Sequence, residues 1–144
     1  IVKGFTALYY DSAVADLAVL ATRFLRTIGG VVPIYDEALM DAVTAVSGSG
    51  PAYVFLMAEA MAAAGVTAGL PAALATQLAE ATVTGAGALI EAVDEPPSTL
   101  RENVTSKGGT TAAALAVLMA DNGLPSLMER AVQAAKKRSV ELGV

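Results

Sequence analysis

The sequence contains no cysteine, no histidine and no tryptophan, and only 5% of its residues are aromatic. Without cysteine there is no disulfide and no thiolate chemistry. Without cysteine and histidine together, the ordinary structural zinc site and the common transition-metal sites are excluded, so we expect no metal centre. The missing imidazole also excludes a serine or cysteine catalytic triad.

Charge is scarce, and basic charge is scarcer than acidic. Only 16% of the 144 residues are charged, with 9 basic and 14 acidic side chains and a net charge of -5. A nucleic-acid-binding protein normally presents a basic face, so this balance argues against a nucleic-acid partner. The length fits one compact domain, or a domain plus a fragment of another.

Apolar residues are abundant and small. They make up 55% of the chain, and the mean hydropathy is +0.59. The uncharged stretch Ala60–Ala79 is long enough to span a bilayer. However, it is mostly alanine, it is broken by a predicted turn between Gly65 and Pro71, and no Lys/Arg cluster flanks it. We therefore expect no membrane span but helices buried on nearly all sides, which in so short a chain requires a partner subunit. The start of the chain also lacks the pattern of a signal peptide.

The chain divides into a short mixed piece and a longer helical piece. Residues 4–9 predict a strand, Asp11 or Ser12 can cap a helix running to about Ile28, and Val31–Ile34 predicts a second strand. This piece is too small to hold a core and is typical of the edge of a larger sheet. From Asp36 onward only helices are predicted, over residues 36–46, 51–64, 69–93, 99–104, 112–120 and from 124 to near the end.

Two Gly/Ser/Thr segments precede helices, Ser47–Pro51 and Thr105–Thr111. A helix start offers free backbone N–H groups and about half a positive charge, and glycine allows a ligand close to the backbone. The second segment has paired glycines with hydroxyls on both sides, so it is a candidate site for a carboxylate or phosphate. The alternative is that these hydroxyls only cap the helix.

Other polar groups have weaker functional interpretations. Gly48-Ser49-Gly50 lacks the spacing of a dinucleotide fingerprint and follows a helix, so close helix packing is its expected role and no complete cofactor site is present. Asp94 and Glu95 could face a cationic ligand group or cap the turn before the next helix. Three basic residues near the chain end suit the helix macrodipole and predict a solvated face: Lys136, Lys137 and Arg138.

Three segments carry a resemblance to a known family. Asp41–Tyr53, Gly69-Leu70-Pro71 and Val104–Thr111, followed by Leu115, resemble pyrroline-5-carboxylate reductase in order and separation. The resemblance implies a mostly α fold, a helical dimerisation domain of the 6-phosphogluconate dehydrogenase C-terminal-like type, preceded by a strand-helix-strand remnant of a Rossmann domain. The implied boundaries are 1–35 for the remnant and 36–144 for the helical substrate-binding and dimerisation domain.

The resemblance also implies an activity. Such an enzyme reduces 1-pyrroline-5-carboxylate to L-proline with NADPH or NADH, the last step of proline biosynthesis in the cytoplasm. The family forms an interlocked homodimer, and its dimers often assemble into decamers. Most of the nucleotide domain, with its glycine fingerprint, is missing from this sequence, so the isolated 144-residue chain is expected to be inactive and the cofactor-binding residues are unknown.

The implied site residues lie around the second Gly/Ser/Thr segment. Thr111 matches the family threonine that hydrogen-bonds the ring nitrogen, and Asp94, or Glu95 as its substitute, matches the region of a family acidic residue. The implied substrate-binding residues are Ser106, Gly108, Gly109, Thr110 and Thr111, of which the first four are the candidates for binding the carboxylate. This sequence has Lys107 where the family usually has proline, which places a positive charge beside the candidate anion site.

The sequence is also compatible with two other functions. The chain could be a helical homodimerisation module without catalysis, as a fragment or a decayed paralogue. It could also be a related helical domain of another dehydrogenase, although that class does not predict the segment Thr105–Thr111.

Overall fold

The computed structural model describes residues 4–143, apart from the side chain of Ser12. Strand β1 spans Gly4–Tyr9, helix α1 Ala15–Leu25 and strand β2 Gly29–Ile34. The helices that follow are α2 (Met40–Val43), α3 (Gly50–Thr67), α4 (Ala72–Ala92), α5 (Pro97–Asn103), α6 (Thr110–Leu118) and α7 (Leu124–Leu142). The mostly helical fold with a short leading sheet, as predicted, is confirmed.

The chain forms two compact units. Among the described residues, one unit comprises those up to Gly50 and from Ala131 onward, and the other comprises residues 51–130. Residues 36–50 and the end of α7 belong to the same compact unit as the β-α-β piece.

The first unit is built on a parallel pair of strands. β1 and β2 pair in register from Gly4 with Gly29 to Tyr9 with Ile34, and α1 is the crossover helix that parallel strands require. Asp11 accepts a hydrogen bond from the Ala13 N–H at 2.8 Å and so caps the short 3-10 turn Ser12–Val14, whereas α1 itself begins after Val14 without a side-chain cap. Ser139 on α7 donates to Asp41 on α2 at 2.7 Å, which joins the end of the chain to this unit.

The predicted break at Ser47–Pro51 is wrong. A π turn over Thr44–Gly48 connects α2 almost directly to α3, and the Ser49 N–H donates to the Thr44 carbonyl at 2.9 Å. A π turn closes over one residue more than an α-helical turn, so the chain continues from α2 into α3 without a break. A Cβ on Gly48 would meet only the Thr44 methyl, at 3.6 Å, and one on Gly50 would meet nothing within 4 Å. Within one chain, therefore, these glycines do not serve the close helix packing that the sequence predicted.

In the second unit, α3 and α4 form a helical hairpin. Gly69, with φ +103, ends α3 in a Schellman motif, in which the Leu70 N–H reaches the Gly65 carbonyl at 3.0 Å. Gly65 lies inside α3, so the helix break begins later than predicted. A Cβ on Gly65 would lie 3.2 Å from that of Ala75, which shows how closely the two helices approach.

Little of the apolar surface is covered within one chain. The buried apolar residues in the described part of the structure are all alanines: Ala18, Ala45, Ala75 and Ala79. Phe55 on α3 is 67% exposed and Val117 on α6 is 73% exposed. So many exposed large apolar side chains in one chain indicate that another molecule covers them.

One helical run is long and apolar enough to cross a membrane by the criteria of length and composition. It is Glu37–Thr67, 31 residues within the described part of the chain, and none of its most apolar window is buried. The run includes the π turn and the carboxylates of Glu37, Asp41 and Glu59. An uncovered apolar helix of this kind requires cover from another molecule.

Candidate functional site

The candidate site is the connection between α5 and α6. Beyond Asn103, the Thr105 N–H donates to the Glu102 carbonyl at 2.9 Å, and the Thr105 hydroxyl donates to the Arg101 carbonyl at 2.6 Å. These bonds occupy the carbonyls at the end of α5. The Thr105 hydroxyl is therefore engaged in ending a helix and is not available to a ligand, contrary to the sequence-based expectation for this segment.

A tight turn follows at Ser106–Gly109. The Gly109 N–H donates to the Ser106 carbonyl at 3.0 Å, and Lys107 and Gly108 are the two central residues. Gly108 has φ +72, which a type II turn requires at its third position. Lysine thus takes the second position, where proline is favoured, and the turn forms without it.

Helix α6 starts with open donors. Its N-cap residue, Gly109, has extended backbone angles, and no side chain caps the helix. The first bond of the helix is made by Ala113, whose N–H reaches the Gly109 carbonyl at 3.2 Å. The N–H groups of Thr110, Thr111 and Ala112 consequently have no partner among the described residues. The interpretation that this segment merely caps the helix is therefore wrong for this structure.

The donor set differs in one respect from the expected one. The Gly109 N–H is used within the turn, so it is not a ligand donor, because the turn closes through that group. The Gly108 N–H and the three N–H groups of α6 remain open within residues 4–143. Sequence reasoning missed Ala112, although the rule that a helix leaves its first N–H groups unpaired could have found it.

The hydroxyls beside these donors are also free. Threonines inside other helices bond back to their own backbone: Thr67 to the Ala63 carbonyl at 3.2 Å and Thr82 to the Leu78 carbonyl at 2.7 Å. The hydroxyls of Thr110 and Thr111 form no hydrogen bond in the described part of the chain. Thr111 is half-buried, whereas Thr110 is exposed.

The Ser106 hydroxyl lies against the helix start. A Cβ built on Gly109 would collide with it and would lie 3.2 Å from the Ser106 carbonyl oxygen. The missing side chain of Gly109 is therefore what lets Ser106 approach the first turn of α6. The loop brings together five of the expected residues: Ser106, Gly108, Gly109, Thr110 and Thr111.

Asp94 and Glu95 lie in the turn between α4 and α5. The Asn103 side-chain amide donates to the Glu95 carboxylate at 3.4 Å, whereas no side chain caps α5. Asp94 is exposed and forms no hydrogen bond or ion pair in residues 4–143. No hydrogen bond joins it to the loop of residues 105–111. Within the described residues, the Asp94 carboxylate therefore has no hydrogen-bond partner, whereas the Glu95 carboxylate accepts a hydrogen bond within the turn.

The acidic side chains were also compared with the arrangement that a metal site requires. Among the residues that the structure describes, no group of three acidic side chains is placed to hold a metal ion. The site is instead a cluster of backbone N–H groups and alcohols at the positive end of a helix dipole, which suits a small carboxylate.

The fold and this site define a class of protein. A parallel β-α-β unit followed by helices with uncovered apolar faces is typical of a protein whose helices associate with a second chain. The family model described as "Pyrroline-5-carboxylate reductase dimerisation" matches residues 37–142. The chain therefore belongs to the pyrroline-5-carboxylate reductase family.

Individual relatives agree with this assignment. A pyrroline-5-carboxylate reductase of Synechocystis sp. is 49% identical over 141 residues, which are 97% of this chain and 52% of that protein. The solved structure of a pyrroline-5-carboxylate reductase from Coxiella burnetii matches 98% of this chain and 52% of its own, with a TM-score of 0.91 and 38% identity. A Plasmodium falciparum pyrroline carboxylate reductase, solved with NADP bound, matches with a TM-score of 0.84 and 31% identity over 99% of this chain and 58% of its own. The chain spans about half the length of the curated relatives it matches first.

Proposed function

We propose that this chain is the substrate-binding and dimerisation part of an NAD(P)H-dependent reductase that converts 1-pyrroline-5-carboxylate to L-proline. The observation that carries the proposal is the uncapped start of α6, with three unpaired N–H groups and the free hydroxyls of Thr110 and Thr111. Family membership supplies the substrate, a five-membered ring with a carboxylate and an imine. The proposal includes the boundary at residues 35/36, supported by the family match from residue 37.

The substrate carboxylate occupies the helix start. The N–H groups of Thr110, Thr111 and Ala112 point along the axis of α6, and the helix dipole favours negative charge there. The Ser106 hydroxyl and the Gly108 N–H add donors from the turn, and the Thr110 hydroxyl adds one from the helix. Because the turn and the helix already hold the backbone N–H groups in place, binding needs little reorganisation of the backbone.

The ring nitrogen then faces the Thr111 hydroxyl. A hydrogen bond from this hydroxyl to the imine nitrogen assists its protonation, and protonation makes the adjacent carbon a better hydride acceptor. Asp94 is the proposed carboxylate that stabilises the positive charge on nitrogen. The reduction adds one hydride to carbon and one proton to nitrogen, which gives the secondary amine of proline.

The nicotinamide cofactor supplies the hydride. The described residues do not fit its pyrophosphate, because the connection from β1 to α1, residues 10–14, contains no glycine and cannot form the glycine-rich turn of a dinucleotide site. We therefore assign no cofactor-binding residue in this chain. The choice between NADH and NADPH belongs with residues outside it.

A homodimer is the assembly that the family match supports, and its further association into decamers is part of the proposal. Both compact units expose large apolar side chains that a second copy would cover. A cytoplasmic enzyme without nucleic-acid or membrane partners completes the proposed function. The alternative is a dimerisation module without catalysis. The one observation that favours it is that the connection from β1 to α1 has no glycine-rich turn for a cofactor pyrophosphate.

A chimera tests the proposed activity directly. We replace the matching half of the Synechocystis relative, 49% identical in this region, with the present chain. The chimera is expected to oxidise NADPH or NADH only when 1-pyrroline-5-carboxylate is added, and the isolated chain is expected to show no turnover. The measurement is the loss of absorbance of the reduced cofactor.

Two outcomes would contradict this function. A chimera that folds and dimerises but does not turn over would favour the module without catalysis. Turnover by the isolated chain would contradict the assignment of the cofactor site to residues outside it. The unaltered Synechocystis protein is the positive control.

A further inference from the structure

Lys107 carries a positive charge, without an ion-pair partner in residues 4–143, in the turn that precedes α6. Two arginines of the chain are paired, Arg101 with Glu102 at 3.5 Å and Arg138 with Glu141 at 3.0 Å. Lys107 is exposed and has no ion-pair partner within residues 4–143. The turn from Ser106 to Gly109 holds it three residues before the first residue of α6.

We propose that Lys107 is a specificity-determining residue that favours ligands with a net negative charge over zwitterions at the start of α6. The inference rests on the proposed function, since it assumes that this helix start holds the substrate carboxylate. Lys107 does not need to touch the ligand. Its ammonium raises the positive potential around the turn, and an exposed charge acts over several ångströms through water.

The reaction makes this distinction useful. The substrate with a neutral imine carries one carboxylate and a net charge of about -1, whereas proline carries an additional ammonium and is neutral overall. The N–H groups of α6 bind the carboxylate, and both the substrate and proline have a carboxylate. A point charge at Lys107 acts on the sum of the ligand charges, so it attracts the substrate and is nearly indifferent to the product.

The expected size follows from the exposure of the side chain. Two unit charges several ångströms apart in water change an affinity by about threefold, and salt screens the effect beyond a Debye length of about 8 Å. Lys107 should therefore tighten the binding of an anion about threefold at low ionic strength and hardly at all at high ionic strength.

Two ring carboxylates of similar size serve as probes, cyclopentanecarboxylate as the anion and L-proline as the zwitterion. Each is titrated calorimetrically into the chain at about 10 mM and about 500 mM salt. Lys107→Gln is expected to raise the Kd of cyclopentanecarboxylate about threefold at low salt only, and to leave that of proline unchanged. Lys107→Arg should behave as the unaltered chain. Lys137→Gln, which removes the same charge from α7, is the matched control and should change neither Kd.

Each other outcome overturns the inference. Equal weakening of both probes by Lys107→Gln would show direct contact with the carboxylate. An equal effect of Lys137→Gln would show that only the total charge matters, and no effect of Lys107→Gln would remove its role. Failure of the unaltered chain to bind either probe would overturn the proposed site as well, which distinguishes the two claims.

Discussion

Replacing Thr111 with alanine is expected to lower kcat of the active chimera by roughly 10²-fold, with a smaller effect on KM. The Thr111 hydroxyl has no partner in the described structure, unlike those of Thr67 and Thr82. Thr111 is half-buried at the first turn of α6, and in the proposed function its hydroxyl donates to the ring nitrogen of the substrate. Because this bond matters most when the nitrogen gains its proton, its loss slows catalysis more than it weakens substrate binding.

Two control variants separate this role from folding. Thr111→Ser keeps the hydroxyl and should retain most of the rate. Thr82→Ala removes a threonine hydroxyl that only bonds to the backbone, and it should leave the rate unchanged. If the rate of Thr111→Ala equals that of the unaltered chimera, Thr111 has no part in proton delivery.

Replacing Phe55 with aspartate is expected to dissociate the dimer. Phe55 is 67% exposed in a single chain and lines the cleft between α3 and α4, within the part that matches the dimerisation family. A carboxylate buried in an apolar interface costs several kcal/mol, and about 3 kcal/mol already weakens association by more than 10²-fold. Light scattering during size-exclusion chromatography should show the mass fall from two chains to one.

The control for this variant lies outside the family match. Tyr35, between β2 and the first helical residues, is 83% exposed and precedes the matched residues 37–142. Tyr35→Asp should leave the dimer intact. A dimer that survives Phe55→Asp at micromolar concentration would show that α3 is not part of the interface.

Elements with strong local signals could be predicted from the sequence. β1 has the predicted bounds of residues 4–9, and Asp11 caps the turn that follows it. Gly69 and Pro71 fix the connection between α3 and α4, because glycine accepts a positive φ and proline begins a new segment. In each case one or two residues determine the backbone, so composition and spacing are sufficient.

Features that depend on hydrogen-bond partners could not be predicted. A break between two helices was predicted at Ser47–Pro51. The structure has a π turn at Thr44–Gly48 instead, because the Ser49 N–H donates to the Thr44 carbonyl. Thr105 resembles the other hydroxyls of its segment but bonds to the Arg101 carbonyl, and the Gly109 N–H is used by the turn. The sequence therefore predicts which residues surround the site, but not which of their groups are free. Phe55 and Val117 are uncovered within the described chain, so the sequence shows them only as part of an apolar composition.

A proline titration of the isotope-labelled chain, followed through its backbone amide resonances, tests the carboxylate site at the start of α6 most directly. If the three open donors bind the carboxylate, the largest shifts should occur at the N–H groups of Thr110, Thr111 and Ala112, with Thr82 on α4 unchanged. Saturable binding that shifts other amides while these three stay fixed would contradict the site.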